Sequence, residues 1–187
     1  MKKQDETNKM DLNLHIGCGS IAIPGYVNID IRYLPNVDVV DNAEFLRKFK
    51  NENVSIIYAC HVLEHFNRWR ISSVLKRWFD LLMCGGILYL AVPDFESIVS
   101  YYNKTKDIKS LIGLLHGGQD YKENFHCMSW DFKSLQDCLL FAGFDSVNLY
   151  EWEDVFGSFD DYSKCYLPHM DKENGMLMSL NVKAVKK

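Results

Sequence analysis

One alternation of patterns restricts the fold of this chain more than any other feature of its sequence. Residues 54–59 form a nearly unbroken run of β-favouring side chains, which is typical of a strand buried on both faces. The next apolar residues repeat with the period of an amphipathic helix, at Ile71, Val74, Leu75, Trp78, Phe79 and Leu82. Gly85 and Gly86 are expected to end that helix, and residues 87–92 are predicted to form a second buried strand that Pro93 stops. Two strands separated by a helix predict parallel pairing with a crossover connection.

The remaining segments extend this unit into an α/β domain. Further strands are predicted at 12–16, 26–31, 37–40, 147–152 and 176–185. Helices are predicted near 94–103 and 106–115, and another runs from Asp131 as N-cap to Ala142, with Gly143 past its end. The sequence therefore predicts a Rossmann-like, doubly wound α/β sheet of about seven strands. We expect residues 1–11 to be a disordered tail and residues 12–187 to form a single domain.

The composition argues against several classes of function. The net charge is −4, whereas nucleic-acid binding requires concentrated Lys and Arg, so we expect no nucleic-acid partner. No apolar run is long enough for a membrane span, and the N-terminus lacks the core of a signal peptide. The six cysteines include no C-x-x-C pair, which disfavours a zinc knuckle and a disulfide framework. The expected location is the reducing cytoplasm.

A glycine turn and an acid define a candidate ligand site. Gly17-Cys18-Gly19 follows the first predicted strand, and Asp30 ends the second. Glycines at such a turn let the backbone approach a ligand closely, because no Cβ intervenes. The carboxylate can accept both hydroxyls of a ribose, and in a doubly wound sheet both features lie at the carboxyl ends of neighbouring strands. The pattern therefore predicts a ligand that contains a ribose.

The glycine turn also fits the dinucleotide pattern G-x-G-x-x-G/A over residues 17–22, so a nicotinamide cofactor is an alternative. That pattern needs a helix directly after the glycines to receive the pyrophosphate, and Pro24-Gly25 interrupts the chain there. Asp30 also comes earlier than the usual spacing of about 20 residues, while Asp38 has that spacing but lies inside a run. S-adenosylmethionine (SAM), which has a ribose and no pyrophosphate, fits better.

Five blocks of sequence together resemble one family. They are LHIGCGSIAIPGYVNIDI, VVDNAEFL, SIIYACHVLEHF, LMCGGILYLAVPDF and HGGQDYKENFHCMSWDFKSLQDCLLFAGF. In this order they resemble the class I SAM-dependent methyltransferases, in particular a short bacterial type similar to methyltransferase type 11, over nearly the whole chain from about Leu12. The resemblance implies an antiparallel last strand and methyl transfer from SAM to a small or medium acceptor, with S-adenosylhomocysteine as product. Some relatives are associated with cell-surface polysaccharide synthesis, which implies a saccharide hydroxyl as acceptor.

The resemblance also implies which residues hold the methionine part of SAM. Gly17, Cys18 and Gly19 would lie along it. Cys60 and His61, which follow the fourth predicted strand, would flank it. These five residues form the expected methionine side of the site.

Four further residues are implied on the nucleoside side. Asp30 would bind the ribose hydroxyls, and Ile31 would lie against the adenine. Asp41 and the backbone of Asn42 would meet the adenine edge and its exocyclic amine. Two positions depart from the family pattern, because His15 replaces the usual acid before the first glycine and a third glycine is missing.

The proton acceptor is expected in or near one long loop. Residues 116–130 are rich in Gly, His, Asp and aromatic residues without a regular period, and such a loop is more often a functional lid than a mere connection. It contains His126, and only histidine has an unperturbed pKa near neutrality. His126 is therefore the first candidate for the catalytic base. Asp94, after the fifth strand, is the second candidate, and His65 is the third.

A competing chemistry is suggested by His61-Val62-Leu63-Glu64-His65, which matches the zinc motif H-x-x-E-H of inverzincin peptidases. The two histidines could share a metal, with Glu64 as base. Three acids are nominal third ligands, namely Glu123, Glu151 and Glu153. The motif directly follows a buried strand, which favours a turn at His61, so we expect no metal. A zinc-dependent hydrolase and a SAM-binding module without catalysis remain alternative functions.

Overall fold

A seven-stranded sheet organises the molecule. We describe the chain from a computed structural model that covers residues 12–156 and 159–187, so the tail expected at 1–11 lies outside the described residues. The strands of this sheet are β1 (Leu12–Ile16), β2 (Val27–Asp30), β3 (Val39–Val40), β4 (Val54–Cys60), β5 (Leu82–Pro93), β6 (Ser146–Leu149) and β9 (Ser179–Val185). Two further strands, β7 (Tyr166–Leu167) and β8 (Met176–Leu177), pair with each other in a small antiparallel ribbon.

The strand order of the large sheet is β3-β2-β1-β4-β5-β9-β6. Six strands are parallel, and β9 lies antiparallel between β5 and β6. The predicted doubly wound sheet of about seven strands with an antiparallel last strand is therefore confirmed. Because β1, β2, β4 and β5 are parallel, their carboxyl ends share one edge of the sheet, where ligands bind in this architecture.

Five α-helices flank the sheet in the described residues: α1 (Ile71–Leu81), α2 (Phe95–Thr105), α3 (Ile112–His116), α4 (Phe132–Ala142) and α5 (Trp152–Phe156). Short 3-10 turns lie at Leu63–His65, Lys109–Leu111 and Tyr162–Lys164. Within this part of the chain, no helix has the length and apolarity that crossing a membrane requires. The predicted N-cap of α4 is confirmed, because the Asp131 carboxylate accepts a hydrogen bond from Ser134 N–H at 2.7 Å and Gly143 closes the helix in the left-handed region.

The apolar stripe of α1 packs against the sheet as predicted, with Trp78 wholly buried in the main core. The predicted end of this helix is wrong. The helix ends at Leu81, and Leu82 is already extended and pairs with Val54 of β4. The Lys186 ammonium donates to the carbonyls of Phe79 and Leu82, so a cation satisfies the last turn of the helix. The two glycines therefore lie inside β5 rather than at a helix cap.

Three other predicted boundaries also differ. The strand predicted at 147–152 ends at Leu149, because Trp152 turns into α5 and its indole lies 3.4 Å from the Tyr166 hydroxyl. The strand predicted at 176–185 is divided at Met178, whose N–H donates to the Cys165 carbonyl while its own carbonyl accepts from Asp94 N–H. The chain changes partners there, from β7 to β5. The helix predicted at 106–115 is a 3-10 turn followed by the short α3.

Candidate functional site

The turn after β1 requires glycine for two different reasons. Gly17 and Gly19 have φ angles of +67° and +55°, a region that side chains with a Cβ rarely adopt. A Cβ on Gly17 would also lie 2.3 Å from the Cγ2 atom of Val62, which belongs to the segment after β4. A Cβ on Gly19 would meet no heavy atom closer than 3.7 Å, and that atom belongs to the Arg32 side chain. Gly17 thus serves packing, and Gly19 leaves its turn open to a ligand.

Asp30 lies at the end of β2 beside this turn. Its carboxylate accepts hydrogen bonds from Gly19 N–H at 2.9 Å and from the backbone N–H and side-chain Nε of Arg32 at 2.9 and 3.1 Å. Burial alone would raise the pKa of Asp30, but the hydrogen bonds and charge of Arg32 outweigh it, so the pKa is lowered. The side chain is therefore an anion at neutral pH, and it couples the end of β2 to the glycine turn.

Two adjoining cavities open at this edge of the sheet. The first, of about 560 Å³, we call the nucleoside cavity after the part of SAM expected there, and it is lined by six of the residues expected to bind the cofactor: Gly17, Asp30, Ile31, Asp41, Asn42 and His61. The second, of about 710 Å³, we call the acceptor cavity after the molecule expected there, and it is lined by the remaining three, Cys18, Gly19 and Cys60, together with Gly17 and His61. All nine residues that the sequence predicted therefore face one of two cavities that share Gly17, Arg32, His61, His65 and Tyr121.

His15 takes the position at which the family pattern has an acid. The side chain is buried, its Nδ1 lies 3.0 Å from the Asn28 amide oxygen, and its ring stacks on Tyr58 at 5.4 Å. Burial lowers the pKa of His15, although its partner Asn28 and the nearby Asp161 and Asp30 oppose the shift. The neutral imidazole lines the acceptor cavity close to the buried Asp161 carboxylate.

The three candidate bases lie in different surroundings. The Asp94 carboxylate caps α2, accepting from Glu96 N–H at 3.1 Å and from the Ser97 hydroxyl at 2.7 Å. Asp94 lines neither cavity, so its carboxylate would not contact a molecule bound in either one. His65 lines both cavities, and His126 lines the acceptor cavity. The structure therefore brings two of the three candidates to the site.

The backbone of Glu64 positions the loop that carries His126. The Glu64 carbonyl accepts from Cys127 N–H at 2.7 Å and from Met128 N–H at 3.2 Å. The His126 ring is held as well, because its Nδ1 lies 2.8 Å from the Leu114 carbonyl oxygen. Burial, assisted by the charge that His116 would carry, lowers the pKa of His126 although that hydrogen bond opposes the shift, so the ring is neutral at pH 7. A carbonyl can only accept, so Nδ1 carries the proton and Nε2 offers its lone pair.

Several residues of the site were not recognised in the sequence. Arg32 and Tyr121 form a contact over the junction of the cavities, with the guanidinium carbon 4.4 Å from the centre of the ring. Glu64 was noted only as part of a peptidase-like motif, yet its side chain is wholly buried beside two histidines. A charged residue two positions after Asp30, the acid expected to bind the ribose, is the signal that could have identified Arg32. No local pattern could have identified Tyr121, because its contact joins segments that are distant in sequence.

The fold is shared with solved structures of SAM-dependent methyltransferases. One from Methanosarcina mazei aligns with a TM-score of 0.58 at 19% identity, over 95% of this chain and 93% of the other. One from Thermotoga maritima aligns with a TM-score of 0.57 at 16% identity, over 94% and 82%. The 1,6-didemethyltoxoflavin-N1-methyltransferase from Burkholderia thailandensis, solved with 1,6-didemethyltoxoflavin and S-adenosylhomocysteine, aligns with a TM-score of 0.58 at 13% identity, over 94% and 71%.

No model of a protein family and no curated protein sequence matches this chain. At identities below 20% the structural likeness establishes the fold alone. It confirms the class I methyltransferase fold that the resemblance in sequence implied.

Proposed function

We propose that this protein binds SAM across the two cavities and transfers its methyl group to a small-molecule acceptor. The observation that carries the proposal is the meeting of Gly17–Gly19 with the Asp30 carboxylate, with Gly19 N–H and the carboxylate 2.9 Å apart, at the ligand-binding edge of a methyltransferase fold. A glycine turn next to an ionised acid suits a ribose without a pyrophosphate.

The nucleoside would occupy the cavity of about 560 Å³. Asp30 would accept the ribose hydroxyls, sharing its oxygens with Arg32. Ile31, directly after β2, is 41% exposed, whereas the residues of β2 itself are buried or half-buried, so Ile31 offers apolar surface to the adenine. Asp41, whose carboxylate accepts from Asn42 N–H at 2.8 Å, would meet the adenine edge. Each of these contacts lies on the nucleoside side of the shared junction.

The methionine part of SAM would then extend into the second cavity along Gly17, Cys18 and Gly19, with Cys60 and His61 on the opposite side. Burial, with the negative charge of Asp30, raises the pKa of the Cys18 thiol to about 12, so it stays protonated and is not a nucleophile. Cys18 therefore lines the site as a small side chain and takes no part in the reaction.

The reaction is an in-line displacement at the sulfonium methyl group, which is already activated. An acceptor oxygen or nitrogen forms the new bond to the methyl carbon, the carbon–sulfur bond breaks with its electron pair going to sulfur, and S-adenosylhomocysteine leaves. The protein has to align the acceptor and remove its proton. His126 suits the second task, since it lines the acceptor cavity and its Nδ1 is fixed by the Leu114 carbonyl at 2.8 Å, which leaves the Nε2 lone pair to accept a proton. A saccharide hydroxyl is the finer proposal for the acceptor, and it rests on the sequence resemblance.

Thermal shift with SAM, S-adenosylhomocysteine, NAD and Zn²⁺ in parallel tests the cofactor. A ligand that binds the native state stabilises it in proportion to ln(1 + [L]/Kd), so SAM and S-adenosylhomocysteine should raise the melting temperature and NAD should not. A shift with NAD alone would contradict the proposal. Release of S-adenosylhomocysteine on addition of a panel of sugar and small hydroxyl acceptors separates an enzyme from a binding module, which would bind SAM and release no product with any of them.

A further inference from the structure

Three side chains of the types that bind metals meet at the wall of the acceptor cavity. They are Glu64, His65 and His126, which we call the Glu64 cluster. One donor atom from each lies within 4.8 Å of the other two. The His126 Nε2 atom is 3.8 Å from the Glu64 Oε1 atom, and the two imidazole rings meet edge to face with centroids 4.8 Å apart. The cluster joins the 3-10 turn after β4 to His126, which lies in a loop far along the chain, so no local sequence motif predicts it.

The Glu64 carboxyl is the unusual member of the cluster. The residue is 0% exposed, and within the described residues neither carboxyl oxygen has a hydrogen-bond partner. Two histidines approach the same oxygen, His61 through Nδ1 at 3.4 Å and His126 through Nε2 at 3.8 Å, and neither contact has hydrogen-bond geometry. Buried carboxylates are normally paired, hydrogen-bonded or bound to a metal, because isolated burial of the charge is costly.

The two histidines are oriented as metal ligands usually are. The Nδ1 atom of His65 lies 3.2 Å from the Phe125 carbonyl oxygen, and that of His126 lies 2.8 Å from the Leu114 carbonyl oxygen. Each Nδ1 therefore carries the proton, and each Nε2 is left with a lone pair. A second hydrogen bond of this kind fixes the tautomer and the ring orientation of histidines that bind metals.

We infer that the Glu64 cluster is a binding site for a divalent first-row transition ion, with Glu64, His65 and His126 as its three protein ligands. Two imidazoles and one carboxylate form a donor set that suits Zn²⁺, Fe²⁺, Co²⁺ or Ni²⁺, and it does not suit Mg²⁺, which prefers oxygen ligands. Ligands held at about 2.0–2.2 Å from one ion are at most about 4.4 Å apart, so the donor atoms, which lie within 4.8 Å of one another, must move closer together to hold the ion.

The ion would face the cavity rather than the core. His65 and His126 line the acceptor cavity, whereas Glu64 closes the site from behind. Three protein ligands leave at least one coordination position open, which is the arrangement of catalytic rather than structural metal sites. In the peptidase interpretation of the motif, His61 and His65 share the metal and Glu64 is the base. In the Glu64 cluster, Glu64 is itself a ligand, and the second histidine, His126, comes from another segment.

An ion at this site would change what His126 does. One lone pair cannot hold an ion and accept a proton at the same time. In the metal-bound protein the ion would bind the hydroxyl oxygen of the acceptor at its open coordination position and lower the pKa of that hydroxyl. This consequence rests on the proposed methyl transfer, whereas the metal site itself does not.

The site is tested by metal titration of the whole protein without SAM or acceptor. Protein treated with EDTA and then desalted is titrated with Zn²⁺ and, separately, with Mg²⁺ by isothermal calorimetry. We expect one Zn²⁺ per chain and no heat with Mg²⁺. Glu64→Gln and His126→Ala should each weaken Zn²⁺ binding by about 100-fold or more, because the loss of a partner behind a ligand alone costs about 10–100-fold. The matched control is His116→Ala, since His116 is an exposed histidine at the end of α3 that lies outside the cluster, and its removal should leave affinity unchanged.

Two results would overturn the inference. One is wild-type protein that takes up no Zn²⁺. The other is a Zn²⁺ affinity that is the same in wild type, Glu64→Gln and His126→Ala, which would assign binding to other histidines or to thiols. If Glu64→Gln does not fold, His65→Ala replaces it, because His65 is half-buried at the cavity wall and its removal leaves Glu64 in place. None of these outcomes depends on whether the protein transfers a methyl group.

Discussion

Asp30 combines two tasks at the scale of the residue. Its carboxylate holds the glycine turn through Gly19 N–H, and it faces the cavity in which we propose that the ribose binds. Arg32 lowers its pKa against the effect of burial, so the carboxylate is charged at any pH at which the protein would be assayed. The sequence placed this acid correctly at a strand end, whereas its partnership with Arg32 is visible only in three dimensions.

We predict that Asp30→Ala weakens binding of S-adenosylhomocysteine by about 1–3 kcal/mol, because the ribose hydroxyls lose a charged acceptor. Calorimetry on the folded variant measures the change. Asp137→Ala is the control, since Asp137 is an exposed carboxylate on α4 outside both cavities. Equal affinity of the Asp30 variant and the control would remove Asp30 from the site.

His126 is the second residue with a specific expectation. We predict that His126→Ala lowers turnover by about 100-fold or more and changes SAM affinity little, because the ring lies on the acceptor side of the junction. Asp94→Asn should be nearly neutral for turnover, since Asp94 caps α2 and lines neither cavity. Steady-state kinetics and calorimetry provide the two measurements. A variant that loses binding and turnover together would show that His126 supports the loop rather than the reaction.

At the scale of the element, the two glycines of the turn after β1 differ in role, because one serves packing and the other leaves space for a ligand. Gly17 packs against Val62, and Gly19 faces open space apart from Arg32. Both backbones have positive φ, but only the Gly17 position is closed to a Cβ by a neighbouring side chain. The two glycines look equivalent in sequence, and they differ because Val62 belongs to a segment that reaches the turn only in the folded sheet.

Gly19→Val is therefore predicted to abolish S-adenosylhomocysteine binding while leaving most of the fold intact, since a branched Cβ would fill the ligand's path and resist the required φ. Gly17→Ala, although smaller, is predicted to lower the melting temperature more, because its Cβ collides with Val62. Melting curves and thermal shift with S-adenosylhomocysteine compare the two. Normal binding by Gly19→Val would exclude this turn as the cofactor cradle.

The elements also show where sequence reasoning succeeds and where it stops. The core face of α1 and the N-cap of α4 follow from local periods and local capping chemistry, and both were predicted correctly. The end of α1 was not, because its last carbonyls are satisfied by Lys186, from the far end of the chain. Likewise, Met178 divides the last predicted strand because of partners at Cys165 and Asp94. Distant hydrogen bonds decide these boundaries, and no window of sequence contains them.

At the scale of the whole molecule, the buried ionisable groups make stability depend on pH. Burial raises the pKa of Glu64 from 4.5 to about 8 in the folded protein. A raised pKa adds stability that is fully present below the unfolded value and is lost as the pH rises through the folded value. Burial, followed by the charges that His126 and His65 would carry, lowers the pKa of His61 from 6.5 to about 3. The contribution of His61 therefore rises with pH and is complete above about 6.5.

Between pH 6.5 and 8 only Glu64 of these two groups changes its contribution, so we predict a fall in the free energy of unfolding of about 1.6 kcal/mol over that interval, since the slope of about 1.36 kcal/mol per pH unit halves as the folded carboxyl titrates. Urea denaturation at several pH values, with EDTA present, measures it. Glu64→Gln has no carboxyl proton to lose and should show a much flatter profile. The same downward slope in the variant would mean that another group titrates.

The position of β9 has a consequence for how the protein is made. Among the described strands β9 is the last in the chain, and it supplies the pairing that joins β6 to the rest of the large sheet. A ribosome therefore releases β1 to β5 long before the strand that covers the open side of β5 exists. Until β9 emerges, β5 has an unpaired edge that can template pairing with another chain. We expect the nascent protein to depend on chaperones during this interval.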